Sequence, residues 1–335
     1  MIDVEYHSDL SKALSAPDIA ALFAQGRTPF DRAEWFAGLE RDCGLQPMVA
    51  VARGPQGLAV LPLQQGSGQV TGLANWYSFH LRPLSSPDAD ADALLAAIAR
   101  DLARMAWRVT LAPLPDEDGS ASLLEQAFRS AGWLVRREIC DTNHIFEVSG
   151  QDYSDYLASR PGQLRTTLKR KSSRFEVGIY QQFTNDTWET YEAIYAQSWK
   201  PDEGFPRFIQ NFARAEAGAG RLRLGIASAD GQPVAVQMWT VENGTAYIHK
   251  LAYVESARPH SPGSVLSAAM FREVIDIDRV SQIDFGTGDD PYKRDWMGIQ
   301  RPRFRLDMFR PQSPQAWPHL GKAVLRRLAG MAQRR

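Results

Sequence analysis

Apolar and polar positions alternate most legibly past the middle of the chain. Apolar runs at 222 to 228, 233 to 241 and 245 to 254 are separated by Ala229-Asp230-Gly231 and Glu242-Asn243-Gly244. Asp-Gly and Asn-Gly tolerate positive φ, so the pattern predicts two tight hairpins and a three-stranded antiparallel meander. A loop from Glu255 to Ser261 follows. Ser261 suits an N-cap and Pro262 a first helical position, and Val265, Ala268, Ala269 and Val274 recur near helical spacing, so a helix of about four turns is expected. Ser281 to Phe285 then reads as a short strand entering Gly286-Thr287-Gly288. Strand, helix, strand implies a parallel pair with a right-handed crossover.

The first half repeats this order more faintly. Strands are expected near 48 to 53, 57 to 63 and 69 to 73, with a Gly66-Ser67-Gly68 turn before the third. A helix from Pro87 to Ala106 would align Leu94, Leu95, Ile98, Leu102 and Met105 on one face. A strand at Arg108 to Leu114, a helix ending at Gly132 and two strands up to Val148 complete the set. The fold class is therefore mixed α/β (α+β), built as two tandem copies, each a mostly antiparallel mixed sheet flanked by helices. The boundaries fall at 1–149, 150–312 and a tail at 313–335.

A length of 335 residues suits two domains, and 44% hydrophobic with 23% charged residues is the balance of a compact globular chain. A net charge of -1 gives no overall field for DNA. Cys43 and Cys140 lack CxxC spacing, the N-terminus lacks a signal-peptide pattern, and no apolar run reaches the ~18 residues that span a bilayer. The expected location is cytoplasmic. The six histidines show no metal-binding spacing, and no G-x-S-x-G elbow is present.

A helix opening at Ser261-Pro262-Gly263-Ser264 directs free N–H groups and the positive end of its dipole outward, which suits a pyrophosphate. Arg258 and His260 lie just upstream, and no acidic residue occurs from Ser256 to Arg272. An ordinary capped helix is the competing reading. The segments His249-Lys250-Leu251-Ala252-Tyr253, Ser261-Pro262-Gly263, Asp284-Phe285-Gly286-Thr287-Gly288-Asp289 and Tyr292-Lys293 resemble GNAT acyltransferases of the BioF2-like or CelD-like branch, which is related to FemABX-type aminoacyl transferases. Ser198-Trp199-Lys200 and the basic segment Arg165 to Arg174 fit the same branch. The resemblance covers about residues 150 to 310.

That resemblance implies two tandem GNAT-like domains, the first degenerate, and a donor of acetyl-CoA or another acyl-CoA. A pantetheine arm would lie along Leu251, Ala252 and Tyr253, with its pyrophosphate at Ser261, Gly263 and Ser264. A splay between the strands at 247–253 and 281–285 would expose backbone N–H groups to the thioester carbonyl. The usual Q/R-x-x-G-x-G/A loop is reduced to Gly263, so an aminoacyl-tRNA donor, as in Fem-type relatives, stays open.

Asp284 is a candidate base or acceptor-ammonium ligand, or else a cap on the following glycine turn. Lys293 could neutralise a phosphate or the developing oxyanion, and Tyr292 could protonate the thiolate. His249 and Lys250 are expected on opposite faces of their strand, with His249 either catalytic or a hydrogen-bonded core residue. Trp199, Lys200 and Lys250 are placed beside the acceptor. In the first copy, Asp88, Asp90 and Asp92 at the helix start would repel a pyrophosphate.

Arg160, Arg165, Lys169, Arg170, Lys171 and Arg174 form a basic stretch without an acid, read as a solvated face ahead of a contact for a phosphorylated acceptor, with an RNA contact disfavoured because no aromatic residues are interleaved. In the tail, Trp317, Leu320, Val324, Leu328 and Met331 recur near helical spacing beside Lys322, Arg326, Arg327, Arg334 and Arg335. This fits a docked terminal helix ahead of a peripheral contact with the inner face of the membrane. The chemistry expected is acyl transfer to an amine or hydroxyl of a small acceptor, of the sugar, lipid or envelope-precursor kind. The competing class is a non-catalytic member that binds acyl-CoA or a partner.

Overall fold

The structure is a computed structural model that describes residues 2–66 and 68–319. It divides into two compact units, Met1–Asp141 with the stretch from Pro302 onward, and Thr142–Arg301. The division falls inside one strand instead of at 149/150, and Pro302 onward joins the first unit, not the second.

The first unit contains β1 (Asp3–His7), β2 (Pro47–Gly54), β3 (Gly57–Gln65), β4 (Gln69–Gly72), β5 (Leu84–Ser85), β6 (Arg108–Leu114) and the first part of β7 (Leu134–Glu147). The second contains the rest of β7, then β8 (Glu176–Tyr180), β9 (Leu222–Ala229), β10 (Gln232–Glu242), β11 (Thr245–Tyr253) and β12 (Gln282–Thr287). β13 (Ile299–Phe309) returns to the first unit, where Phe304 pairs with Leu114 and Phe309 with Arg108. Arg108, Thr110 and Arg136 all donate to the buried Asp307 carboxylate on β13, which fixes that return.

In the first unit the sheet order is β1-β2-β3-β4-β6-β13. β4 and β6 are parallel over three pairs, Gln69–Arg108, Val70–Val109 and Thr71–Thr110. The intervening helix runs Ala91–Leu102. It is shorter than the expected 87 to 106 because the Asp90 side chain accepts from Ala93 N and starts the helix there. Leu94, Leu95, Ile98 and Leu102 are buried as expected, but Met105 lies beyond the helix end and is exposed. The two strands expected before Val148 are one strand, since no glycine or proline interrupts Leu134–Glu147. Residues 8 to 46 hold three α-helices that the apolar pattern did not reveal.

In the second unit the order is β7-β12-β11-β10-β9-β8. Both hairpin turns form as expected: φ is 50° and 75° at Asp230-Gly231 and 47° and 73° at Asn243-Gly244, the paired positive values of type I′ turns. β11 and β12 are parallel and joined through the helix Pro262–Arg272. That helix packs its buried Phe271 between the rings of Tyr156 and Trp296, each stacked at 4.9 Å, with Trp239 edge-on at 5.2 Å. The core of this unit is thus aromatic at its centre.

Of the tail, Trp317 is exposed, and its indole donates to the Pro311 carbonyl at 3.0 Å. Leu320 to Arg335, which carry the rest of the expected amphipathic pattern, lie outside the described residues.

Candidate active site

The ladder between β11 and β12 has three pairs, Thr245–Gln282, Ala246–Ile283 and Tyr247–Asp284. It stops there while β11 continues to Tyr253, so the strands part in the expected place. β11 also carries a bulge. Met238 pairs with Lys250 and Trp239 with Ile248, which makes His249 an extra residue.

The bulge overturns the expected alternation. Ala246 and Ile248 before it, and Leu251 after it, all belong to the core shared with the helix Pro262–Arg272. His249 and Lys250 therefore both face the other side. His249 Nε2 is hydrogen-bonded to Thr240 Oγ1 at 2.8 Å and packs edge-on to Phe212 at 5.0 Å, the arrangement of a hydrogen-bonded, packed histidine. Lys250 reaches Glu203 Oε2 at 2.7 Å and lies over the Tyr195 ring at 5.5 Å. Burial pushes its pKa down.

The end of β12 is tied by side chains. Asp284 Oδ1 accepts from Asn143 Nδ2 at 2.6 Å and from Gly286 N at 2.7 Å. Asp284 thus caps the turn at Gly286, where φ is 66°. Lys293, on the short helix Pro291–Trp296, is buried and donates to the carbonyls of Phe285 and Thr287. Its ammonium thereby brings a positive charge to the end of the splay. Tyr292 packs edge-on to Phe285 at 5.6 Å. Burial, with Asp290 and Tyr253 nearby, raises its pKa, so it remains a neutral phenol.

At the far end of β11, Tyr253 packs on Trp199 with ring centroids 4.2 Å apart. A Cβ on Gly263 would meet the Tyr253 ring at 3.0 Å, so glycine here lets Tyr253 lie over the helix start. The buried Gln237 donates to the Gly263 carbonyl at 3.2 Å and to Ser267 Oγ at 2.7 Å, pinning the first turn to the sheet. Ser261 occupies the cap position in left-handed conformation, φ 57° and ψ 48°, but its side chain does not cap the helix. Its hydroxyl instead accepts from Lys171 Nζ at 2.9 Å, and the same ammonium donates to the Pro259 carbonyl at 2.8 Å. Arg174 Nη1 lies 3.1 Å from His260 Nδ1. Two cations of the basic stretch therefore converge on the helix opening, where no acidic side chain sits in the first turn, and Ser264 stands in that turn. This is electrostatically suited to a phosphate.

A cavity of about 280 Å³ lies beside Lys250, walled by Trp188, Tyr191, Tyr195, Lys200, Glu203 and Ile209. Trp188, Tyr191 and Tyr195 come from one helix, Asn185–Ala196, at spacings of three and four. Lys200 Nζ lies 5.8 Å from the Trp199 ring centre. Its pKa is lowered to about 8, first by burial and then by Lys250, with Lys293 adding and Glu203 and Asp290 opposing. Lys250, on β11 beyond the ladder, thus pairs with Glu203 of the cavity wall, and the charge of Lys293 reaches Lys200 of that wall.

Sequence reasoning missed Asn143, Gln237, the Glu203 counter-ion and the aromatic wall, although the 188, 191, 195 spacing was a readable sign of the last. It also missed His144, which is buried with Nε2 3.3 Å from Asp289 Oδ1. Burial and the charge of Lys293 push the imidazole pKa down. Among the described residues no group of three His, Cys, Asp or Glu could hold a metal, and no helix is long and apolar enough to cross a membrane.

Residues 158–294, all within the second unit, match the family model of the acetyltransferase (GNAT) domain. The second unit is a GNAT domain. Around it, the fold of the whole chain is similar to that of L-PGS from Bacillus licheniformis, with a TM-score of 0.58, 13% identity and 97% of each chain covered. FemX is similar with a TM-score of 0.60 at 9% identity, over 91% of this chain and 96% of FemX. A tandem GNAT protein from the clavulanic acid biosynthesis pathway is similar with a TM-score of 0.54 at 14% identity, over 91% of this chain and 98% of that one. No curated protein matches the sequence. These likenesses show a fold shared with a tandem GNAT protein and with FemX, and the family match places the GNAT domain in residues 158–294.

Proposed function

We propose that the GNAT domain is an acyl-CoA-dependent N- or O-acyltransferase, using acetyl-CoA or another acyl-CoA and a small amine or hydroxyl acceptor held in the aromatic cavity. The observation that carries this reading is the joint placement of the parted β11 and β12 and a helix opening flanked by Lys171 and Arg174. The thioester carbonyl would enter the splay against the N–H groups of β11, with the pyrophosphate at Gly263 and Ser264. The acceptor would attack from the side of Lys200 and Lys250, and the thiolate would leave along Tyr253 toward Tyr292. The aromatic wall suits the apolar face of a sugar ring or a lipid-derived group.

Thermal melting tests the donor. A ligand at about a hundred times its Kd stabilises by about 2.7 kcal/mol, a shift of several degrees. Acetyl-CoA and CoA are expected to raise Tm, and aminoacyl-tRNA is expected to leave it unchanged. A shift with aminoacyl-tRNA and none with CoA would transfer the assignment to an aminoacyl donor. A shift with neither would point to a member without donor binding.

A further inference from the structure

The lysines around the splay differ in what they touch. Lys250 is paired with Glu203, Lys293 is held by two carbonyls, and Lys171 by two oxygens. Lys200 Nζ has no hydrogen-bond or ion-pair partner among the described residues, and its side chain forms part of the cavity wall. It is carried by the segment that stacks on the donor strand, since the preceding Trp199 lies on Tyr253. Lys200 also stands close enough to Lys250 and Lys293 to feel both charges. The amine therefore stands in the wall of the acceptor cavity, one residue from the ring that packs on Tyr253 of β11.

We infer that Lys200 is a self-acylation site of the GNAT domain, accepting an acyl group from the bound thioester when no small acceptor fills the cavity. The inference rests on the acyl-CoA reading above. The Nζ lone pair attacks the thioester carbonyl carbon, the C–N bond forms and the C–S bond breaks. The amine gives up a proton as the thiolate takes one, leaving Nε-acyl-lysine and CoA thiol. The pKa lowered to about 8 supports this, because a larger share of this amine is unprotonated near neutral pH than of an ordinary lysine. Acylation removes the cavity's unpaired charge and places an amide in the acceptor's position, so the modified domain is closed to acceptor.

The experiment incubates the full chain with acetyl-CoA and no acceptor, and follows each lysine by peptide mass. Lys200 is expected to gain an acetyl group at least about tenfold faster than Lys169 or Lys171, and excess CoA is expected to suppress the gain. Lys200→Arg should abolish this signal while retaining the melting shift with acetyl-CoA. Equal acetylation of all lysines, or none at Lys200 while acetyl-CoA still stabilises the fold, would overturn self-acylation and leave the donor assignment standing. No melting shift with acetyl-CoA would overturn the donor assignment, and self-acylation with it.

Discussion

The two units place a short parallel ladder and a crossover helix in the same order, yet only one leaves the resulting cleft usable. β4 and β6 pair over three residues, as β11 and β12 do. In the first unit Leu81 fills the space beside β4, where a Cβ on Gly72 would clash with it at 2.2 Å, and Leu81 N donates to the Pro113 carbonyl at 2.7 Å. Its helix opening is taken by the Asp90 carboxylate. In the GNAT domain β11 runs on past the ladder, and the opening meets Lys171 and Arg174 instead of an acid. The two openings thus differ in a few side chains at two positions, and the proposed donor reading rests on that difference.

The largest expected effect breaks one unit and spares the other. Phe271→Ala removes a ring that contacts Tyr156, Trp239 and Trp296 and should destabilise the GNAT domain by about 3–5 kcal/mol. Hydrogen exchange should then rise through residues 222–287, while amides of β2 and β3 keep their protection. Uniform loss of protection across both units would show that they unfold together.

A smaller effect tests the contrast at the helix openings. Lys171→Glu with Arg174→Glu should weaken acetyl-CoA binding at least about tenfold, equivalent to about 1.4 kcal/mol, with no change in circular dichroism. Calorimetric titration measures it. An unchanged Kd would reduce these two cations to a solvated face and remove the electrostatic half of the contrast.

Much of this was legible where local chemistry decides the outcome. Asp230-Gly231 and Asn243-Gly244 fixed both turns because few residues adopt their φ values, and Pro262 marked the helix start because its ring suits a first turn. The facing of His249 and Lys250 was not legible. Alternation is a property of a regular strand, and the bulge that cancels it arises from pairing with β10. Long-range partners were hidden for the same reason: Asn143 meets Asp284 across 141 positions and Lys171 meets Ser261 across 90. The return of β13 to the first unit depends on Asp307 collecting Arg108, Thr110 and Arg136, which no local pattern announces.

The claim that one unit alone takes the donor is tested most directly by hydrogen exchange of the full chain with and without saturating acetyl-CoA, read amide by amide. Slowed exchange confined to residues 248–254 and 263–266, with residues 68–95 unchanged, is the predicted result. Protection at residues 68–95, or none at 263–266 in a sample whose melting temperature acetyl-CoA raises, would contradict it.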